Sequence, residues 1–183
     1  MKKTILVTTI LSSISATNLL AIDFINDKYY GGVGLGIEKF STYSSYDPGL
    51  AIVLNGGKPI IKLGPGTIGA EAELTYTVLP LNHNGYGYDW DLSIMTLGAY
   101  ATYTFDHTDK LYTRAKVGIV QRHYSWDYNG HSRNNDYDYN DIGIGIGGGA
   151  GYKFNEKLRA YSDLILLDGS DLTQLNFGLQ MNF

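Results

Sequence analysis

Residues 173–183 read TQLNFGLQMNF. Thr173, Leu175, Phe177, Leu179, Met181 and Phe183 share one parity, and Gln174, Asn176, Gly178, Gln180 and Asn182 share the other. Successive side chains of a strand point to opposite faces, so this segment is a strand with one apolar and one polar face.

The same period recurs upstream. Val33, Leu35 and Ile37 alternate with glycines and Glu38; Ile68, Ala70, Ala72 and Leu74 alternate with Gly69, Glu71, Glu73 and Thr75. Leu97, Ala99 and Ala101 oppose Gly98, Tyr100 and Thr102; Ala115, Val117 and Ile119 oppose Arg114, Lys116 and Gly118; Ile142, Ile144 and Ile146 oppose Gly143, Gly145 and Gly147. Two stretches are mixed. Leu50 to Leu63 is apolar on both parities, which predicts a face-switching bulge at Asn55-Gly56-Gly57, with Pro59 removing a ladder donor. In Leu158 to Leu167, Arg159, Tyr161 and Asp163 oppose Leu158, Ala160, Leu164 and Leu166.

The pattern predicts eight strands, at 28–40, 49–63, 67–80, 92–105, 111–124, 139–154, 158–168 and 172–183. Globular strands run to about 5–6 residues, whereas a tilted strand needs roughly 9–11 to cross a bilayer; length decides for a membrane. Short turns at Gly64-Pro65-Gly66, 106–110 and 155–157 alternate with longer polar segments at 41–48, 82–91 and 125–140, and Gly169-Ser170 makes a tight last connection. Short periplasmic turns and longer outer loops mark outer-membrane barrels. The expected fold is all-β: an eight-stranded antiparallel up-and-down transmembrane β-barrel.

The N-terminus supports export. Met1-Lys2-Lys3 precedes the apolar run Thr4 to Leu11 and the small-residue stretch Ser12 to Thr17, the layout of a signal peptide cleaved after Ala21 or Ala16. The expected organisation is a signal peptide at 1–21 and a barrel domain at 22–183. Of 14 Lys and Arg against 18 Asp and Glu, the leader takes Lys2 and Lys3, leaving 12 against 18, a net charge of −6. An acidic chain does not hold nucleic acid by bulk electrostatics. With no Cys, a disulfide framework, a thiol nucleophile and a Cys metal site are excluded.

The polar faces carry Glu38, Glu71, Glu73, Arg114, Lys116, Lys153, Arg159 and Asp163. An eight-stranded lumen is just wide enough for side chains, and buried charges need partners, so a lumen charge network is expected. Tyr29, Tyr30, Tyr76, Tyr103, Phe105, Tyr152, Phe154 and Phe183 fall near strand ends, where barrels carry aromatic girdles.

The opening strand YYGGVGLGIEKF, the GYKFNEKL hairpin and the terminal LNFGLQMNF resemble the small outer-membrane β-barrel family of OmpA-like, OmpX-like and Opa-like barrels. The resemblance covers essentially all of the mature chain. It implies an integral outer-membrane protein in contact with lipid and lipopolysaccharide, with Phe183 as the signal read by the barrel-assembly machinery. It implies no activity.

Three features bear on function. His123 and Ser125 share a strand face, a spacing in which an imidazole can activate a hydroxyl if a carboxylate such as Asp136 orients it. The pair resembles that of outer-membrane lipid A deacylases, but Trp126-Asp127 follows it and no Glu comes before Glu156. The third polar segment, with Asp127, Asp136, Asp138 and Asp141, lacks the closing Glu of a calcium loop, so neither metal nor cofactor is expected. Tyr86, Tyr88, Trp90, Trp126, Tyr128, Tyr137 and Tyr139, set among Ser, Gly and Asn, have the composition of a recognition surface. The expected role is a non-enzymatic surface-presenting barrel whose loops meet an extracellular protein or glycan; a narrow pore and a lipid A hydrolase using His123 and Ser125 are the alternatives.

Overall fold

Each alternating stretch becomes a strand hydrogen-bonded to its sequence neighbours. A computed structural model describes residues 23–24, 28–40, 46–85, 88–129, 137–168 and 171–183, with the backbone alone at 23–24, 84–85, 88–90 and 128–129. The segment 1–21, expected as a signal peptide, lies outside the described residues. The strands are β1 (Asp23–Phe24), β2 (Tyr30–Phe40), β3 (Gly49–Leu63), β4 (Gly66–Leu79), β5 (Leu81–Gly85), β6 (Tyr88–Asp106), β7 (Leu111–Asn129), β8 (Tyr137–Lys153), β9 (Leu158–Leu167) and β10 (Leu172–Asn182).

All pairings are antiparallel, and β10 returns to β2 in register from Leu172↔Phe40 to Asn182↔Tyr30, which closes the sheet. The wall has eight positions, because β4 and β5 form one of them, both pairing with β6 on either side of Pro80. The short β1 lies against β3 at Lys62 and Ile61, below the point where β2 starts opposite Gly57.

The structure departs from the sequence reading in three places. The segments 82–91 and 125–140, expected as loops, are largely strand: β6 begins at Tyr88, β7 runs to Asn129 and β8 begins at Tyr137. Aromatic rings there meet across the strand pairs, and such pairs stabilise a sheet beyond the bilayer. The bulge in β3 falls at Pro59–Ile61, not at Asn55-Gly56-Gly57. Pro59 has no N–H to donate, so the ladder slips there and Ile60 is the extra residue. Finally, Tyr30 does not join the outer girdle; it points inward and donates to Glu71 Oε2 at 2.8 Å.

The outer surface is what a membrane requires. Leu35, Leu54, Leu97, Ile119, Ile144, Leu164 and Phe177 are all exposed. Tyr29, Tyr103, Tyr152, Phe154 and Phe183 stand out from the end that carries the short turns, and Tyr76 from the other. In water such a surface would aggregate.

Inside, glycines make room for rings. A Cβ on Gly34 would come within 2.9 Å of Tyr161 Oη, and one on Gly178 within 2.6 Å of its ring. Gly98 and Gly145 border Tyr100 in the same way. By contrast, a Cβ on Gly56 meets nothing nearer than 3.6 Å. Gly178→Leu is expected to abolish most of the folded, heat-modifiable species on unboiled gels, while Gly56→Ala migrates as wild type before and after boiling.

Candidate functional site

The register decides which inward side chains meet. In the middle of the lumen, Arg114 on β7 reaches Glu71 Oε2 on β4 at 3.0 Å and clamps Asp163 on β9 through Nε at 2.7 Å and through Nη2. Lys116 Nζ lies 2.7 Å from Glu73 Oε2 and 3.3 Å from both Glu71 Oε1 and Asp163 Oδ2. All five side chains are buried. Rings complete the cage: the Arg114 guanidinium is 4.7 Å from the Tyr161 centroid, and Lys116 Nζ is 4.8 Å from that of Tyr100. The acidic oxygens of Glu71, Glu73 and Asp163 gather within 4.8 Å of one another, but the chain's own ammonium already touches all three groups.

Three of the charges expected in this network lie elsewhere. Glu38, fully buried, accepts hydrogen bonds from Thr77 Oγ1 at 2.6 Å and Gln174 Nε2 at 2.8 Å and has no cation among the described residues. Lys153 sits lower, at the mouth, paired with Asp106 at 2.7 Å and partly exposed. Arg159, also at the mouth, donates to Gln180 Oε1 at 2.8 Å rather than to a carboxylate. Register heights, not alternation, separate these groups.

Above the charges the lumen turns apolar. Leu81, Leu92, Ile94, Val120, Ile165, Leu167 and Leu172 form a buried plug with Tyr100 and Tyr124. Over it, buried Arg122 binds Asp141 Oδ2 at 2.6 Å and also Asp168. Asp168 has φ 46°, a left-handed conformation that Asp tolerates, and its Oδ1 accepts the Ile144 N–H at 3.0 Å. Sequence reading missed this cluster because both carboxylates lie beside segments taken as loops; Arg122 does share the inward parity of Arg114 and Lys116.

The outermost level is aromatic. Tyr124 stacks on Trp126 (centroids 5.6 Å) and Tyr139 (6.3 Å), Phe40 meets Tyr124 edge-on (6.2 Å), and Trp126 lies 5.7 Å from Tyr137. Tyr46 lies 5.1 Å from the His83 ring. Tyr46, His83, Trp126 and Tyr137 line an open cleft of about 420 Å³. Exposed Asp47, Asp127, Asp138 and Asp171 occur at the same end of the barrel. Of the aromatic residues expected to recognise a partner, the structure gathers Trp126, Tyr137 and Tyr139, on strand extensions rather than loops. Tyr88, Trp90 and Tyr128 lie on β6 and β7, paired as Trp90↔Tyr128, and Tyr86 lies outside the described residues.

His123 and Ser125 lie on the outward parity of β7 near this end. His123 Nδ1 is 3.0 Å from Asn140 Oδ1, and its Nε2 is 4.0 Å from Asp138 Oδ1. Among the described residues no hydrogen bond joins His123 to Ser125, and Asp136 lies outside them.

Breaking a buried ion pair from one side leaves an uncompensated charge, at a cost of about 3–5 kcal/mol. Arg114→Ala therefore is expected to lower unfolding stability by about that amount, read from urea titration in lipid vesicles. Lys153→Ala, at the half-exposed mouth, is expected to change it by about 1 kcal/mol or less.

The fold is shared with proteins of known structure. Ail, the attachment invasion locus protein of Yersinia pestis, superposes with a TM-score of 0.58 at 10% identity, covering 87% of this chain and 100% of that one; it has also been crystallised with the heparin analogue sucrose octasulfate. Neisserial surface protein A gives 0.55 at 14% identity, over 85% and 96% of the two chains. The N-terminal β-barrel domain of Pseudomonas aeruginosa OprF gives 0.52 at 15%, over 85% and 97%. No curated protein sequence matches. The model of the outer membrane protein β-barrel domain matches residues 5–183, and the chain belongs to that family.

Proposed function

We propose that this outer-membrane barrel is a closed, non-enzymatic scaffold that presents an aromatic recognition cleft to the outside of the cell. The cleft of Tyr46, His83, Trp126 and Tyr137 carries the proposal. Amphipathic rings held on rigid strands bind with little loss of conformational entropy. The acidic residues at that end select the partner: Asp47, Asp127, Asp138 and Asp171 repel sulfated glycans of the kind bound by Ail and favour an uncharged saccharide or a basic protein surface. Presentation rather than catalysis is favoured because the His123 ring is engaged with Asn140, away from Ser125.

Residues 1–21 serve as the export signal in this reading, and Phe183 presents the last strand to the assembly machinery. Its backbone N–H donates to the Tyr29 carbonyl at 2.8 Å, at the seam that assembly must close.

Trp126→Ala is expected to weaken attachment to uncharged glycans or host-cell proteins by about tenfold, as removal of a central aromatic anchor does, with the heat-modifiable folded band retained. Equal attachment by the folded variant would overturn the role of the cleft. In planar bilayers the protein is expected to show no steady single-channel current, since the apolar plug and charge network support a closed lumen; sustained conductance would favour the pore.

A further inference from the structure

At the end of the barrel opposite the aromatic cleft, where the short turns and Phe183 lie, the lumen opens into a cavity of about 480 Å³. By the rule of short turns this end is periplasmic. Lys28, Lys62, Lys153 and Arg159 face it, against Asp106 and Glu156. The whole chain carries a net charge of −4, so this cationic excess reverses the overall balance.

Arg159 is the anchor of the cavity. Its Nε is committed to Gln180 Oε1 at 2.8 Å, and its guanidinium carbon lies 4.4 Å from the Tyr30 centroid and 5.7 Å from that of Tyr112. Gln180 is fixed in turn by Asn55 at 2.9 Å. Among the described residues, the two Nη groups of Arg159 have no hydrogen-bond or ion-pair partner. Lys28 likewise has no carboxylate within ion-pair reach among the described residues, and Thr102 and Thr104 add hydroxyls to the wall. A guanidinium held by rings and an amide, with its fork unspent and an ammonium nearby, is a receptor prepared for an oxyanion. More than one uncompensated cation calls for an anion with more than one charge. The volume is that of a small-molecule site, larger than a bare phosphate needs.

We propose that this vestibule binds a phosphate monoester carrying a small hydroxylated group, with the phosphate on the Arg159 fork. The ligand is either a soluble ester or the headgroup of a lipid in the adjacent leaflet, and the two sources share the phosphate monoester. The test uses the folded full barrel, observed by backbone amide NMR while glycerol 3-phosphate is titrated in detergent, and separately in nanodiscs with and without phosphatidic acid. Shifts confined to residues around Gly69, Thr102 and Asp106 are expected, from the soluble ester if it is the source and only from the lipid if the headgroup is. Arg159→Gln is expected to weaken binding about tenfold, and Lys28→Gln, at an exposed position outside the strands, to weaken it several-fold without touching the fold. Absence of shifts in both arms, equal shifts with uncharged glycerol, or unchanged affinity in Lys28→Gln would each overturn the proposal and leave only solvated cations at the mouth.

Discussion

In the hydrocarbon core no water is available to a backbone N–H or C=O, so a sheet that crosses a membrane must have no edge. The pairing of Leu172–Asn182 with Tyr30–Phe40 joins the first and last strands of the wall. Because β10 is the last strand and β2 the first long one, closure joins the two ends of the chain. Everything inside follows from the small diameter that eight wall positions impose. Tyr161 lies across β10 and β2 to reach Asn55 on β3 only because those strands place Gly178 and Gly34 beneath its ring.

The narrow lumen also sets the electrostatics. Charges taken from water cost several kcal/mol each unless paired. The middle level pairs them by placing Arg114 and Lys116, two residues apart on β7, against Glu71 and Glu73 on β4 and Asp163 on β9. In the level above, Ile94, Val120, Ile165 and Leu172 share the lumen with Glu38, whose buried carboxyl is held by Thr77 and Gln174. Together they fill the middle of the lumen between two ends of opposite chemistry, aromatic and acidic on one side, cationic on the other. β7 and β8 stay paired up to Trp126 and Tyr137, and Tyr46 bridges His83, so the cleft is held on paired backbone.

Most of the architecture was legible in the sequence because a barrel wall writes itself with period two. The terminal strand, the isoleucine row of β8 and the glutamates of β4 sit on the faces their parity assigns. The reading erred where parity is silent. Pro59 and the glycines before it each permit a bulge, and only the pairing with β4 shows that the slip occurs at Pro59–Ile61. Tyr, Trp, Asp and Asn mix freely in 82–91 and 125–140, a composition shared by loops and by strands that have left the membrane. The site was less legible. Trp126 and Tyr137 could be named as recognition residues, but Tyr46 and His83, which complete the cleft, lie far away in sequence.

The sequence by itself determined the exposed apolar wall, the polar interior, the strand number and the balance of inward charge, because each depends only on which side of a strand a residue occupies. Tertiary structure alone decided the partners. Whether Arg159 joins the carboxylate ring or stands at the mouth, its fork free among the described residues, depends on the stagger of eight strands around a closed circle. The same stagger sets Glu38 apart with Thr77 and Gln174, and brings Arg122 between Asp141 and Asp168. Alternation gives each side chain a face, and height along the barrel axis, which only the pairing register supplies, gives it neighbours.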